Sequence, residues 1–239
     1  LGQGIQDGQL DLKISKQGLD LSGDVRLGNI PASLEWRSNF GDGVPYRGRY
    51  KINSSIDKIR NLEDLGINMG SIQGNFIEGG LSVDLLLTTH DDGKGQVQAL
   101  IDLNNALLKV PALGWSKNVG VDGKAQVEIE IHGNRLTNIP NFHLAAGNMR
   151  MNGSASYAND GTGLEKVDIS QISFNKTDLA GVVIPGDDGG WTVSFHGPSF
   201  NLEPLFEDFF KNTHDDDDSG LKLSLSAKVD KVWLGDKHF

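Results

Sequence analysis

LSVDLLLTTHDDGKGQVQALIDL, residues 81–103, decides the fold. Leu81, Val83, Leu85 and Leu87 alternate with other side chains, and Val97, Ala99, Ile101 and Leu103 do the same after a break. Successive side chains of an extended strand point to opposite faces, so each run carries an apolar face with period two. The break is His90-Asp91-Asp92-Gly93. Asp-Gly supplies the positive φ that a tight hairpin needs. The stretch therefore reads as a β-hairpin with one greasy side.

The same pattern extends in both directions. Before it come Leu10, Leu12 and Ile14, then Leu19, Leu21, Gly23, Val25 and Leu27, then Ala32, Leu34 and Trp36. After it come Ala125, Val127, Ile129 and Ile131, then Phe142, Leu144 and Ala146, then Trp191, Val193 and Phe195, then Leu221, Leu223 and Leu225. Turn signals separate these runs: Lys16-Gln17-Gly18, Gly41-Asp42-Gly43, Gly79-Gly80, Asn159-Asp160-Gly161 and Asp187-Asp188-Gly189-Gly190. Roughly a dozen strands are expected. Alternation, rather than unbroken apolar runs, indicates antiparallel sheet with one wetted side. Sequential hairpins make a meander the simplest topology.

Two segments read as helix. Ser55 to Gly66 places Ile56, Ile59, Leu62 and Leu65 at spacing three, with a Ser N-cap and a Gly stop. Asn201 to Lys211 carries Leu202, Leu205, Phe206, Phe209 and Phe210, with Pro204 in its first turn. Both are expected to cap sheet ends. The fold class is thus all-β: a mainly antiparallel, meander-like curved sheet with two short capping helices. Residues 1–239 form one β-rich segment, with a subdivision near 115–123, where the period breaks around Pro111 and Gly114.

The apolar face needs a cover. A dozen strands at about 4.8 Å make a sheet about 55 Å across. Two helices, each about 16 Å long, do not span it. Either the sheet closes on itself as a barrel or sandwich, or it stays open as a curved apolar groove. An open groove suits acyl chains, which need width and apolarity but no directed hydrogen bonds. Its lining is expected from Leu81, Val83, Leu85, Leu87, Val97, Ala99, Ile101, Leu103, Val127, Ile129 and Ile131.

Composition excludes several classes. The net charge is −10, from 22 Lys and Arg against 32 Asp and Glu, which opposes nucleic-acid binding. There is no cysteine, so disulfides, thiolate zinc and thiol catalysis are out. Zero cysteine fits a Gram-negative envelope protein and many cytosolic proteins alike. No run of about 18 apolar residues and no signal peptide are present. The chain is expected to be a segment of a larger protein whose anchor lies elsewhere.

Chemical sites are few. His90, His132, His143, His196, His214 and His238 show no metal spacing, although His132 and His143 could approach across a hairpin. Asp215, Asp216, Asp217 and Asp218 read as a solvated loop rather than a calcium loop. Glu128 and Glu130 share the polar face of a strand. No nucleophile elbow, P-loop or dinucleotide fingerprint occurs. No catalytic residue, metal or cofactor is expected, and the chain is not read as an enzyme. Trp36, Trp115, Trp191 and Trp233 could line an amphiphile site; Trp36 and Trp191, in phase with apolar faces, are expected to seal the core.

Two stretches carry a family resemblance. Asp102 to Lys117 (DLNNALLKVPALGWSK) resembles a segment in which an alternating strand ends in a Pro-x-Leu-Gly-Trp-x-Lys turn. Thr177 to Ile184, Asp187 to Trp191 and His196 to Leu202 resemble a repeat of strand, Gly-Gly-Trp turn, strand and Gly-Pro-x-x-x-Leu. Gly18-Leu19-Asp20-Leu21 and Gly220-Leu221-Lys222-Leu223 repeat a Gly-x-Leu-x-Leu style of phrase. On these the chain resembles the AsmA-like (AsmA/TamB/YhdP-like) envelope proteins; the specific phrases cover about a quarter of it. The resemblance implies a periplasmic protein tethered to the inner membrane by an anchor outside this segment. It implies phospholipid as partner, carried along an elongated β-groove toward the outer membrane in outer-membrane lipid homeostasis, with the rest of the parent chain beside it. The alternative is a structural or protein-interaction domain of the envelope with a closed core, binding partners at its sheet edges.

Overall fold

The computed structural model describes residues 5–61, 76–110, 113–133, 135–158, 163–186, 190–204 and 223–234. Sixteen strands occur among them. They are β1 (Ile5–Ile14), β2 (Gly18–Leu27), β3 (Ile30–Asn39), β4 (Gly48–Ile56), β5 (Ile77–Gly79), β6 (Leu81–Thr89), β7 (Lys94–Asp102) and β8 (Ala106–Val110), followed by β9 (Trp115–Lys117), β10 (Gly123–His132), β11 (Arg135–Ala146), β12 (Met149–Tyr157), β13 (Leu164–Phe174), β14 (Thr177–Pro185), β15 (Trp191–Asn201) and β16 (Leu223–Trp233).

Thirteen strands form one sheet in the order β1-β2-β3-β4-β6-β7-β10-β11-β12-β13-β14-β15-β16. The sheet is open, with β1 and β16 as its edges. Each pair is antiparallel except the last: β16 runs parallel to β15, from Trp191 opposite Leu223 to Asn201 opposite Trp233. A parallel partner needs a crossover rather than a hairpin. The meander ends there.

The hairpin of residues 81–103 is present as read, with Val83 opposite Ile101, Leu85 opposite Ala99 and Leu87 opposite Val97. The His90 and Lys94 backbones close its turn, and Gly93 takes φ +79°.

The meander is interrupted twice, at 57–80 and at 103–122. The interruptions contain β5, and β8 with β9, and these three pair as a small sheet in the order β5-β8-β9. It sits at one end of the large sheet, here termed the base, where β4 ends and β6 begins. Ala106, Leu108 and Trp115 of the small sheet share a buried cluster with Ile56, Leu81, Leu103, Ala146, Met149, Ile172, Phe174, Leu179 and Phe200. The main core is thus a cap on the base, with a second small cluster of Val25, Ala32 and Leu34 on β2 and β3, and the opposite end of the sheet is termed the rim.

The two expected capping helices are not seen. Ser55 and Ile56 are extended residues of β4, and only a 3₁₀ turn at 59–61 follows; 62–66 lie outside the described residues. Two periods coincide here. Ile56 continues the alternation of Tyr50 and Ile52, and its spacing of three to Ile59 suits a 3₁₀ turn, in which positions i and i+3 eclipse. Ile59 is buried in the core cluster. At the second site Asn201 completes β15, residues 203–204 start a helical turn, and 205–211 lie outside the described residues. Where the first capping helix is expected, the described cap is made by strands β5, β8 and β9 instead.

Candidate functional site: the apolar face of the large sheet

Residues directly opposite in neighbouring strands share a face. Followed from strand to strand, the pairing lays out rows that run across the sheet. The central row begins Leu10, Gly23, Leu34, Ile52, Leu85 and Ala99. It continues through Val127, Phe142, Gly153, Ile169, Gly181, Phe195 and Ala227. Every one of the thirteen strands contributes, and no polar side chain interrupts the row. Twelve spacings of about 4.8 Å give it a length of about 58 Å.

The row toward the base reads Val25, Ala32, Ser54, Val83, Ile101, Ala125 and onward to Leu144, Met151, Ile172 and Leu179. Ser54 is its one polar member, and its hydroxyl donates to the Pro31 carbonyl at 2.8 Å. The row toward the rim contains Leu12, Leu21, Trp36, Tyr50, Leu87 and Val97, then Ile129.

Exposure is lowest at the base and highest at the edge strands. Ile56, Leu81, Leu103, Ala146 and Met149 are buried under the cap. In the central row Leu34 is buried, Leu85, Ala99, Val127, Phe142, Ile169 and Phe195 are partly exposed, and Leu10 and Ala227 at the edges are exposed. Leu12 is 53% and Ile14 67% exposed. The cap therefore walls the base; beyond it most of the face is at least partly exposed, although Leu34 belongs to a second small buried cluster and Ala155 and Val193 are buried too.

This places the eleven expected lining residues. Leu81 and Leu103 belong to the buried cap cluster. Val83 and Ile101 pack against it. Leu85, Ala99 and Val127 form the middle of the central row, Leu87, Val97 and Ile129 the row above, and Ile131 lies opposite Gly95 near the rim. The set is the middle of a face that continues through β1–β4 and β11–β15. Phe142, Ile169 and Phe195 are the main omissions. Phe142 and Phe195 alternate in sequence like the other runs; what sequence does not show is that Gly153 and Gly181 lie beside them in this row.

Those glycines have a packing reason. A Cβ on Gly153 would lie 2.5 Å from Phe142 Cζ, and one on Gly181 would lie 2.5 Å from Phe195 Cδ1. Each phenyl ring lies over the bare glycine backbone of the next strand. The rings thus lie along the face instead of standing up from it, and the floor stays low.

Trp36 stacks on Tyr50 with centroids 5.5 Å apart and planes 8° apart, on the rim side of the central row. Its indole N–H is out of contact with water and has no hydrogen-bond partner among the described residues. Trp36 is partly exposed and packs against the small buried cluster of Val25, Ala32 and Leu34, while Trp115, 4% exposed, seals the cap, its N–H donating to Asn148 Oδ1 at 2.9 Å. Trp191 is partly exposed too. Trp233 lies beneath the ammonium groups of Lys231 (3.6 Å to the ring centre) and Lys176 (4.8 Å).

The other face is polar and carries a cavity of about 1070 Å³. Arg37 donates to Asp20 at 2.6 Å, Lys51 sits 3.5 Å from Glu35, and Leu86 and Leu100 provide apolar floor. Glu128 lies there beside Asn141 and Gln98. Charges of both signs interleave and pair, so the cavity has no single-sign field.

Lys117 of β9 lies inside the cap and is 2% exposed. Its Nζ donates to the carbonyls of Ala106 (2.8 Å) and Asn118 (3.1 Å). Burial pulls its pKa below the usual lysine value, against the attraction of Asp102 and Asp122. At the rim, Arg47 donates to Asp91, and that bond holds the Asp91 carboxyl below the usual carboxylate range.

The hairpin does not bring His132 and His143 together. His143 is opposite Gln126, six residues along β10 from His132, about 20 Å away. No group of three metal-ligating side chains occurs among the described residues. The aspartate run, His214 and His238 lie outside them. No helix among the described residues is long and apolar enough to cross a membrane. Comparison with protein-family models, curated proteins and solved structures finds no match for this chain.

Proposed function

We propose that this chain holds lipid acyl chains on the apolar face of its large sheet and conducts phospholipid along the central row, without bond-making chemistry. The observation that carries this reading is the central row itself: thirteen strands, no polar interruption, and side chains left partly exposed along most of its length beyond the cap. Exposed apolar surface costs about 25 cal/mol per Å², so a few hundred Å² left open is a liability of several kcal/mol unless a ligand uses it. Each methylene moved from water onto such a face contributes about 0.8 kcal/mol. A row with no directed polar group grips hydrocarbon without fixing its position, which is what sliding requires. The resemblance to AsmA-like proteins supports a periplasmic setting, tethered to the inner membrane and feeding the outer one.

The test is capture in cells. A photo-reactive residue at Ala99 should crosslink to phospholipid, and native mass spectrometry of the gently purified chain should show bound lipid masses. A chain that is lipid-free by mass and never crosslinks from Ala99 refutes the proposal.

A further inference from the structure

One polar atom on the apolar face is left over. Trp36 of β3 lies one row toward the rim from Leu34, with Leu21 opposite it on β2 and Tyr50 opposite it on β4. Its ring stacks on Tyr50 and packs against the Val25, Ala32 and Leu34 cluster. Its indole N–H is shut off from water and meets no acceptor among the described residues. A donor buried without an acceptor is costly, and rare enough to need a reason. Packing is not the reason, because a phenylalanine ring stacks and packs without the stranded donor.

The donor stands at a boundary. Toward the base lies the central row, where Gly23, Leu34, Ile52 and Leu85 pair in turn. Toward the rim the next row sets Ser38, Gly48 and Thr89 side by side. A Cβ built on Gly48 would lie 2.8 Å from Thr89 Oγ1 and 3.6 Å from the Tyr50 hydroxyl oxygen, so hydroxyls gather there. A phospholipid carries the same boundary in its own structure: its hydrocarbon tails end at ester carbonyls, and the charged phosphate comes after them. An ester carbonyl is a neutral acceptor, suited to a single neutral donor closed to water. A phosphate brought to the same place would give up its hydration for one bond. Leu21 and Tyr50, which flank the indole, are themselves partly exposed side chains, so a lipid laid over them can shift them and reach the nitrogen.

We propose that Trp36 is a specificity residue of the acyl-chain face, its indole N–H donating to an ester carbonyl of the bound phospholipid. The face then prefers an ester-linked lipid to the same lipid with ether links. This rests on the acyl-chain reading above, and adds one preferred position to an otherwise unmarked row.

The test compares dioctanoyl-phosphatidylcholine with its dioctyl ether analogue, which keeps the head and the tails and lacks the carbonyls. Affinities are read by displacement of a fluorescent fatty acid from the 239-residue chain. The wild type should bind the ester about fivefold more tightly, the worth of one neutral hydrogen bond at about 1 kcal/mol. Trp36→Phe, which keeps an aromatic ring beside Tyr50, should bind the two lipids alike. In ¹H–¹⁵N spectra the indole resonance missing from Trp36→Phe should move downfield with the ester and not with the ether. Equal wild-type affinities overturn this proposal and leave the acyl-chain reading standing. So does an ester preference that survives in Trp36→Phe, or a loss of both lipids to the same degree in that variant, which marks the ring as packing only. Binding of neither lipid by the wild type overturns both readings.

Discussion

Leu85 and Leu86 are neighbours in β6 and face opposite sides of the sheet. Leu85 sits in the central row between Ile52 and Ala99, whereas the Leu86 side chain alternates to the polar face; the cavity there is bordered by both residues. Both are partly exposed, so Leu85→Asp and Leu86→Asp make the same chemical change one residue apart at similar cost to folding. Suppose an acyl chain crossing the row rests about three methylenes on Leu85. At about 0.8 kcal/mol each, their loss is worth about 2.4 kcal/mol. With a factor of ten per 1.4 kcal/mol, Leu85→Asp should weaken acyl-chain binding about 50-fold. That is a floor, because a carboxylate beside hydrocarbon also resists desolvation. Leu86→Asp should leave binding within about twofold. The assay is displacement of a fluorescent fatty acid, at a temperature where melting curves show both variants folded. Equal weakening, or greater weakening by Leu86→Asp, would place the ligand on the polar face and refute the reasoning.

Gly181→Ala should destabilise by about 1–3 kcal/mol, because the new methyl would lie 2.3 Å from the Ser194 carbonyl oxygen and against Phe195. Gly163→Ala, which meets nothing within 4 Å, should barely move the melting temperature. For Lys117 the folded pKa is lowered, so between that value and the ordinary value of about 10.4 the unfolded chain holds a proton that the folded chain has released. Stability from this group therefore rises with pH through that window. Urea midpoints at pH 8 and pH 10.5 should show the wild type gaining relative to Lys117→Met; an unchanged difference would remove the buried charge from the account. Arg47→Gln should return the Asp91 carboxyl upward toward about 3.9, read by carboxyl NMR titration.

The faces of the strands were legible because alternation is a local property. Leu85 and Ala99 share a face whatever else the chain does, since two-residue periodicity and a hairpin turn place them there. The first helix was misread for a related reason. Ile56 and Ile59 satisfy a helical spacing and a strand-plus-3₁₀ spacing equally well, and twelve residues do not separate the two. Phe142 and Phe195 alternate like the other runs; only pairing shows that their row partners are Gly153 and Gly181 and that each ring lies on a neighbour's bare backbone.

Sequence alone determined that this is a sheet with a greasy side and a wet side, that its strands are many, and that its turns are tight. Tertiary structure alone decided where the greasy side is covered. The cap is built from β5 in one interruption of the meander and β8 and β9 in another, with β6 and β7 between them in the chain. Each piece is too short to declare itself by periodicity. Their union lies at the base because the large sheet carries both interruptions out at the same end. Whether a face is open or covered depends on which distant segments meet over it, and a repeating local pattern holds no record of that.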